Sequence, residues 1–254
     1  MMKRLTILLV AGGMLLSLAA CLKKPDEDND SVTIGSLSVD LNATESHVRT
    51  QESLIGNFMA DAILNGLNEK GCQLDLAVMN AGGIRFDAEI RPNGIYPKGV
   101  FTNEMLEEML PFTENKLVVV EVTGNQIREI LERSVAQLPL DKGAFLQISK
   151  DWRVSVDASK QAQVIDETVS PPQLISAGER ILSIYYKEAE INPQFTYRLG
   201  ILDYLTEGND GYVTFQNIPE TKITRTEIYL NNLIRDQIIV YSPINPSLEG
   251  RIFF

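Results

Sequence analysis

Histidine occurs once in this 254-residue chain and cysteine twice, and those shortages exclude much of the machinery a hydrolase or redox protein carries. With His47 as the sole imidazole, no HExxH motif or multi-histidine metal site can be assembled, and any Ser-His-Asp arrangement would have to use that ring. A binuclear phosphoesterase centre combines several histidines with aspartates, because borderline metals favour imidazole beside carboxylate. This chain cannot supply that set alone. No Walker A lysine follows a glycine loop and no GxGxxG is present, so the usual nucleoside-triphosphate and dinucleotide fingerprints are missing. Cysteine is too scarce for a disulfide framework, and Cys72 is expected as a small buried apolar side chain. Past the first twenty residues no stretch approaches 18 consecutive apolar residues, so no spanning helix is expected.

What the chain does have is 44% hydrophobic residues, ample for a packed core. Its first twenty residues read as a targeting segment. Lys3 and Arg4 precede an apolar run from Leu5 to Leu18, and Ala19 and Ala20 lead into Cys21. The run "LAAC" matches a bacterial lipobox, in which Cys21 becomes the acylated first residue of the mature chain. Each acyl methylene buried in a bilayer contributes roughly 0.8 kcal/mol, so several chains anchor firmly. Residues 21–33 then read as the lipidated cysteine and a polar tether, "LKKPDEDND" being charged and solvated. Without the signal segment the balance is 34 acidic against 21 basic residues, a net charge of −13. That sign argues against nonspecific binding to nucleic acid or anionic lipid, so any phosphate compound must be held by a few placed arginines.

Apolar residues at three- and four-residue spacing predict a helix from Glu52 to Gly71, and "LDLAVMN" (Leu74 to Asn80) predicts a buried strand after it. "FTNEMLEEMLPF" reads as a short helix closed by Pro111, and "KLVVVEV" as a strand. "TGNQIREILERSV" reads as a helix opened by a Thr123 and Gln126 capping box. "DWRVSVDAS", "RILSIYY" and "FTYRLGI" read as strands, "LTEGNDGY" as a glycine-bearing loop, and "RTEIYLNNLIRDQI" as a final helix. Residues from Lys160 to Pro172 read as an irregular connection. The mixture of βα and hairpin signals predicts an α/β domain of the α+β type, one domain over 34–254 with mixed sheets and packed helices.

The stretch "NAGGIR" follows the predicted strand directly. Gly82 and Gly83 let a backbone approach a ligand closely, and Arg85 can grip phosphate through two donors. On the residues alone, a plain turn and an anion-holding loop both remain open.

Four separated stretches together resemble the C-terminal, substrate-recognition domain of the 5'-nucleotidase family. They are "RTQESLIGNFMADA" (Arg49 to Ala62), "NAGGIR" with "LPFTENKLVVVEVTG" (Leu110 to Gly124), "GAFLQIS" (Gly143 to Ser149) and "YLTEGNDGY" (Tyr204 to Tyr212), with a closing "PSLEGRI". The resemblance covers about Ser46 to Ile252. It implies that Arg49 and Arg85 contact phosphate and ribose, with Asn80 beside them. Phe112 and Tyr204 would sandwich the base, and Asp210 would accept hydrogen bonds from the ribose hydroxyls. Stacking on an aromatic contributes roughly 1–3 kcal/mol per base, and a carboxylate is a pure acceptor suited to a diol. Read singly, Phe112 could be core, Tyr204 a strand-end packing residue, and Asp210 an ordinary turn residue.

The match has departures. The family's loop is often Gly-Gly-Asp-Gly, so Asn209 is expected to take a glycine's backbone conformation. An extra residue after Phe112 leaves Asn115 without an assigned contact. In the family a separate metallophosphatase domain carries two metals, and that domain is not expected here. No cofactor is assigned to this chain, and divalent metals are expected on a partner metallophosphatase chain. The resulting expectation is a nucleotide-recognition protein, lipid-anchored in a bacterial cell envelope, that acts in nucleotide hydrolysis with that partner and is inactive alone. The rival readings are a stand-alone nucleotide-binding lipoprotein and a structural envelope protein that has lost the site.

Overall fold

The structure, a computed structural model, describes residues 31–254. The segment read as a signal, Cys21 and the expected tether up to Asp30 lie outside the described residues. Residues from Ser31 to Phe254 cluster as one unit, and no helix among the described residues is long and apolar enough to cross a membrane.

A five-stranded sheet forms the centre, in the spatial order Ile223–Tyr229, Lys116–Thr123, Thr196–Leu202, Leu76–Asn80, Leu146–Ile148. One pair, Thr196–Leu202 with Leu76–Asn80, is parallel and the other three pairs are antiparallel, so the sheet is mixed. Strand Lys116–Thr123 carries Leu117, Val118, Val119, Val120 and Val122, all buried. A continuous β-branched run of this kind suits a strand covered on both faces. Helix Leu54–Glu69 packs on this sheet and on the last helix, Leu230–Tyr241. It opens where Ser53 Oγ accepts from Gly56 N at 3.1 Å and closes at Gly71, which adopts φ +86°. Helix Gly124–Val135 opens with the expected capping box, Thr123 and Gln126 satisfying each other's backbone N–H groups. A four-stranded sheet, containing Trp152–Val156 and Ile181–Tyr186, is the second layer of the α+β domain.

Three sequence expectations need correction. Arg225 to Tyr229 belong to an edge strand, and the helix begins only at Leu230. Thr224, Thr226, Ile228 and Tyr229 are β-branched or aromatic, and Glu227 at φ 56° interrupts the register, a conformation no helix interior accepts. The connection after Lys160 is not irregular throughout. Val164–Asp166 pairs with Gln173–Ser176 in a two-stranded ribbon whose exposed apolar faces gave no period to read. Finally, Cys72 is only half-buried at the edge of the core.

The closing "PSLEGRI" acts as a structural pin. Arg251, buried, forms two bonds of 2.8 Å to the Asp61 carboxylate and donates to Ile148 O at 3.0 Å. Glu52 accepts from the backbone N–H groups of Glu249 and Arg251. The C-terminal segment is thereby tied to helix Leu54–Glu69.

Candidate functional site

Strand Leu76–Asn80 ends in the turn Ala81–Gly83, and that turn lies against the backbone entering strand Leu146–Ile148. Ala81 N donates to Phe145 O at 2.7 Å and Gly82 N to Gly143 O at 2.9 Å, extending the ladder past the strand ends. A Cβ on Gly82 would stand 2.9 Å from Gly143 Cα. The first glycine is therefore required by backbone-to-backbone packing, a role that the ligand-approach argument did not contain. Gly82 and Gly83 nevertheless face a cavity of about 390 Å³.

Every residue expected for the site lines that cavity. Arg49 comes from the end of the short helix Glu45–Val48, and Asn80 and Arg85 from the two sides of the glycine turn. Phe112 follows Pro111, while Tyr204 and Asp210 arrive from the segment after strand Thr196–Leu202. Phe112 and Tyr204 are each 39% exposed and both line the cavity. Arg85 lies over the Phe112 ring at 5.6 Å.

Asp210 is the hub of the polar side. Its carboxylate accepts from Asn80 Nδ2 and from the Tyr204 hydroxyl, both at 3.2 Å. Burial, with the Asp210 carboxylate beside it, raises the Tyr204 hydroxyl above the ordinary phenol range, so it stays a donor. Asn80 is buried and its Oδ1 has no partner, a cost of about 1–3 kcal/mol that a donor from a ligand or water would offset.

The strained residue in this loop is Asp210 itself, at φ 55°, and Asn209 keeps an ordinary backbone. This corrects the expectation for Asn209, whose side chain instead donates to Tyr204 O at 2.8 Å. Two groups hold Asp210 in place. Arg133, buried in helix Gly124–Val135, donates from Nε to Asp210 O at 2.7 Å, and the buried Tyr212 hydroxyl donates to Ala144 O.

Four lining or bridging groups were not assigned from sequence. Gly143 and Asn115 line the cavity although neither was given a contact, and Glu114 lines it as a further acid. Glu45 bridges Arg49 Nη2 at 2.7 Å and Arg85 Nη1 at 3.4 Å through one carboxylate oxygen. Its position four residues before Arg49 was the available signal. His47, by contrast, is bonded to Gln51 at 2.8 Å, away from the cavity lining. Among the described residues no group of three or more His, Cys, Asp or Glu side chains is placed to hold a metal ion.

The cavity thus gathers Phe112, Tyr204, Asp210, Arg49 and Arg85 at one end of a mixed sheet. The chain belongs to the 5'-nucleotidase C-terminal domain family, whose pattern matches residues 33–217. It is 27% identical over 230 residues to a trifunctional nucleotide phosphoesterase of Bacillus subtilis, covering 89% of this chain and 14% of that one. It is 30% identical to a cell wall protein of Listeria monocytogenes, covering 85% of this chain and 25% of the other. Among solved structures, a 5'-nucleotidase precursor from Thermus thermophilus superposes with a TM-score of 0.73 at 27% identity, over 87% of this chain and 39% of that one. The NAD nucleotidase of Haemophilus influenzae, at 18% identity and a TM-score of 0.67 over 88% of this chain and 38% of its own, shares the fold. In each comparison the chain spans well under half of its relative's length.

Proposed function

We propose that the cavity binds the nucleoside part of a nucleotide and that the protein is the recognition component of a 5'-nucleotidase. In this reading Phe112 and Tyr204 hold the base between them, Asp210 accepts from the ribose hydroxyls, and Arg49 and Arg85 face the phosphate side. Asn80 and the two glycines form the floor. The observation that carries the reading is the convergence of these residues, from segments up to about 160 positions apart in the sequence, on one cavity. Binding and orientation are what these groups supply. Bond cleavage is assigned to a metallophosphatase on a separate chain, whose metals would activate the attacking water. The chain is further proposed to sit in a bacterial cell envelope, anchored through an acylated Cys21.

Thermal stability of the purified protein with adenosine, AMP, ribose and inorganic phosphate tests the binding reading. Stabilisation by adenosine and AMP but not by ribose is expected, since a ligand that binds only the folded state raises its stability. No shift with any nucleoside compound would refute it. Incorporation of labelled fatty acid, lost in Cys21→Ser, tests the anchor.

A further inference from the structure

We infer that Glu45 is a built-in counter-ion that weakens the grip of Arg49 and Arg85 on phosphate, so that its charge lowers the affinity of this cavity for a phosphorylated nucleoside and leaves that for an uncharged one nearly unchanged. The inference rests on the proposed nucleoside site and names what discriminates within it.

One carboxylate oxygen of Glu45 meets both guanidiniums that line the cavity, Arg49 Nη2 at 2.7 Å and Arg85 Nη1 at 3.4 Å. Arg49 is held in place, being only 8% exposed and bonded also to Asp141 O at 3.3 Å. Its Nε is buried without a partner, so the guanidinium retains unused donor capacity. The arginine pair is therefore not a bare doubly positive patch. One of its two charges is already matched, and the Asp210 and Glu114 carboxylates, which also line the cavity, add more negative field.

An incoming phosphate monoester, carrying close to two negative charges, must displace Glu45 from the arginines or lie beside it. A nucleoside contacting the rings and Asp210 meets no such repulsion. Two unit charges a few ångströms apart at a half-exposed site interact by roughly one factor of ten in binding after solvent screening. Glu45→Gln keeps an acceptor for Arg49 and removes only the charge.

The test is calorimetric titration of wild type and Glu45→Gln with adenosine, AMP and inorganic phosphate, at low and at physiological salt. The variant is expected to bind AMP and phosphate about tenfold more tightly at low salt, with a smaller gain at higher salt and less than a twofold change for adenosine. Unchanged or weaker AMP and phosphate binding overturns the inference. Parallel loss of adenosine and AMP affinity also overturns it, because Glu45 would then be a positioning group. The two readings fail separately. Absence of adenosine binding in both proteins, with phosphate binding gained in Glu45→Gln, sinks the nucleoside site and leaves the counter-ion. Adenosine binding with no gain for AMP or phosphate does the reverse.

Discussion

Replacing Gly82 by alanine separates two reasons for a glycine at the head of the site turn. If the residue serves only the approach of a ligand, the empty protein should tolerate a methyl group there. The structure says otherwise. A Cβ would lie 2.9 Å from Gly143 Cα and 3.0 Å from Gly143 O, both backbone atoms that cannot rotate away. Carbon contacts become comfortable near about 3.5 Å, so the two backbones must open by about half an ångström. The Gly82 N to Gly143 O bond, now 2.9 Å, would stretch past its normal range. Overpacking costs about 1–3 kcal/mol, and weakening one hydrogen bond adds about 1 kcal/mol, so Gly82→Ala should lose about 2–4 kcal/mol. For a domain of this size each kcal/mol lowers Tm by about 2–4 °C, giving a fall of about 9 °C near mid-range. Gly83→Ala is the internal control. Its Cβ would meet Met79 Cε at 2.6 Å, the mobile end of a side chain, so its cost should be smaller by about 1 kcal/mol or more. Urea and thermal unfolding of both variants without ligand would decide. A Gly82→Ala protein as stable as wild type, or no more affected than Gly83→Ala, would refute the packing argument.

Arg133→Met should remove a charged donor to Asp210 O, costing about 2 kcal/mol of stability and weakening adenosine binding; unaltered adenosine affinity would show that Arg133 does not position the Asp210 loop. Arg251→Met leaves Asp61 with only the Lys150 N–H as a partner and should cost about 3 kcal/mol in urea unfolding, whereas a loss below about 1 kcal/mol would contradict its role as a pin. Burial lowers the pKa of His47 below its ordinary 6.5, so the unfolded chain binds that proton more readily than the folded one. Stability contributed by the neutral ring is then present above pH 6.5 and lost as pH falls through the lower folded value. The single imidazole resonance in a proton NMR titration should have its midpoint below 6.5, and a midpoint above it would reverse the sign.

Much of the architecture was legible because its signals are local. The buried valines of Lys116–Thr123, the Thr123 capping box and the Gly71 helix end each follow from neighbours in the chain. Residues Arg225 to Tyr229 were misread because strand and helix propensities run together across Tyr229, and what separates them is pairing with Lys116 to Val118, a contact more than 100 residues away in sequence. The candidate site was readable as a set of motifs, through resemblance rather than through the chemistry of any one residue. Its supports were not readable. Arg133 and Tyr212 act on the loop through backbone carbonyls, and a carbonyl leaves no mark on residue identity. Glu45 was within reach, four residues before Arg49, but its bond to Arg85 depends on the fold.

The central claim, that this cavity receives a nucleoside between Phe112 and Tyr204, is tested most directly by calorimetric titration of adenosine into wild type and the Phe112→Ala, Tyr204→Ala double variant. Each stacking contact contributes about 1–3 kcal/mol, so the variant should bind at least about 30-fold more weakly while keeping a cooperative melt. Equal affinity in the two proteins, or no binding by wild type, would contradict the account.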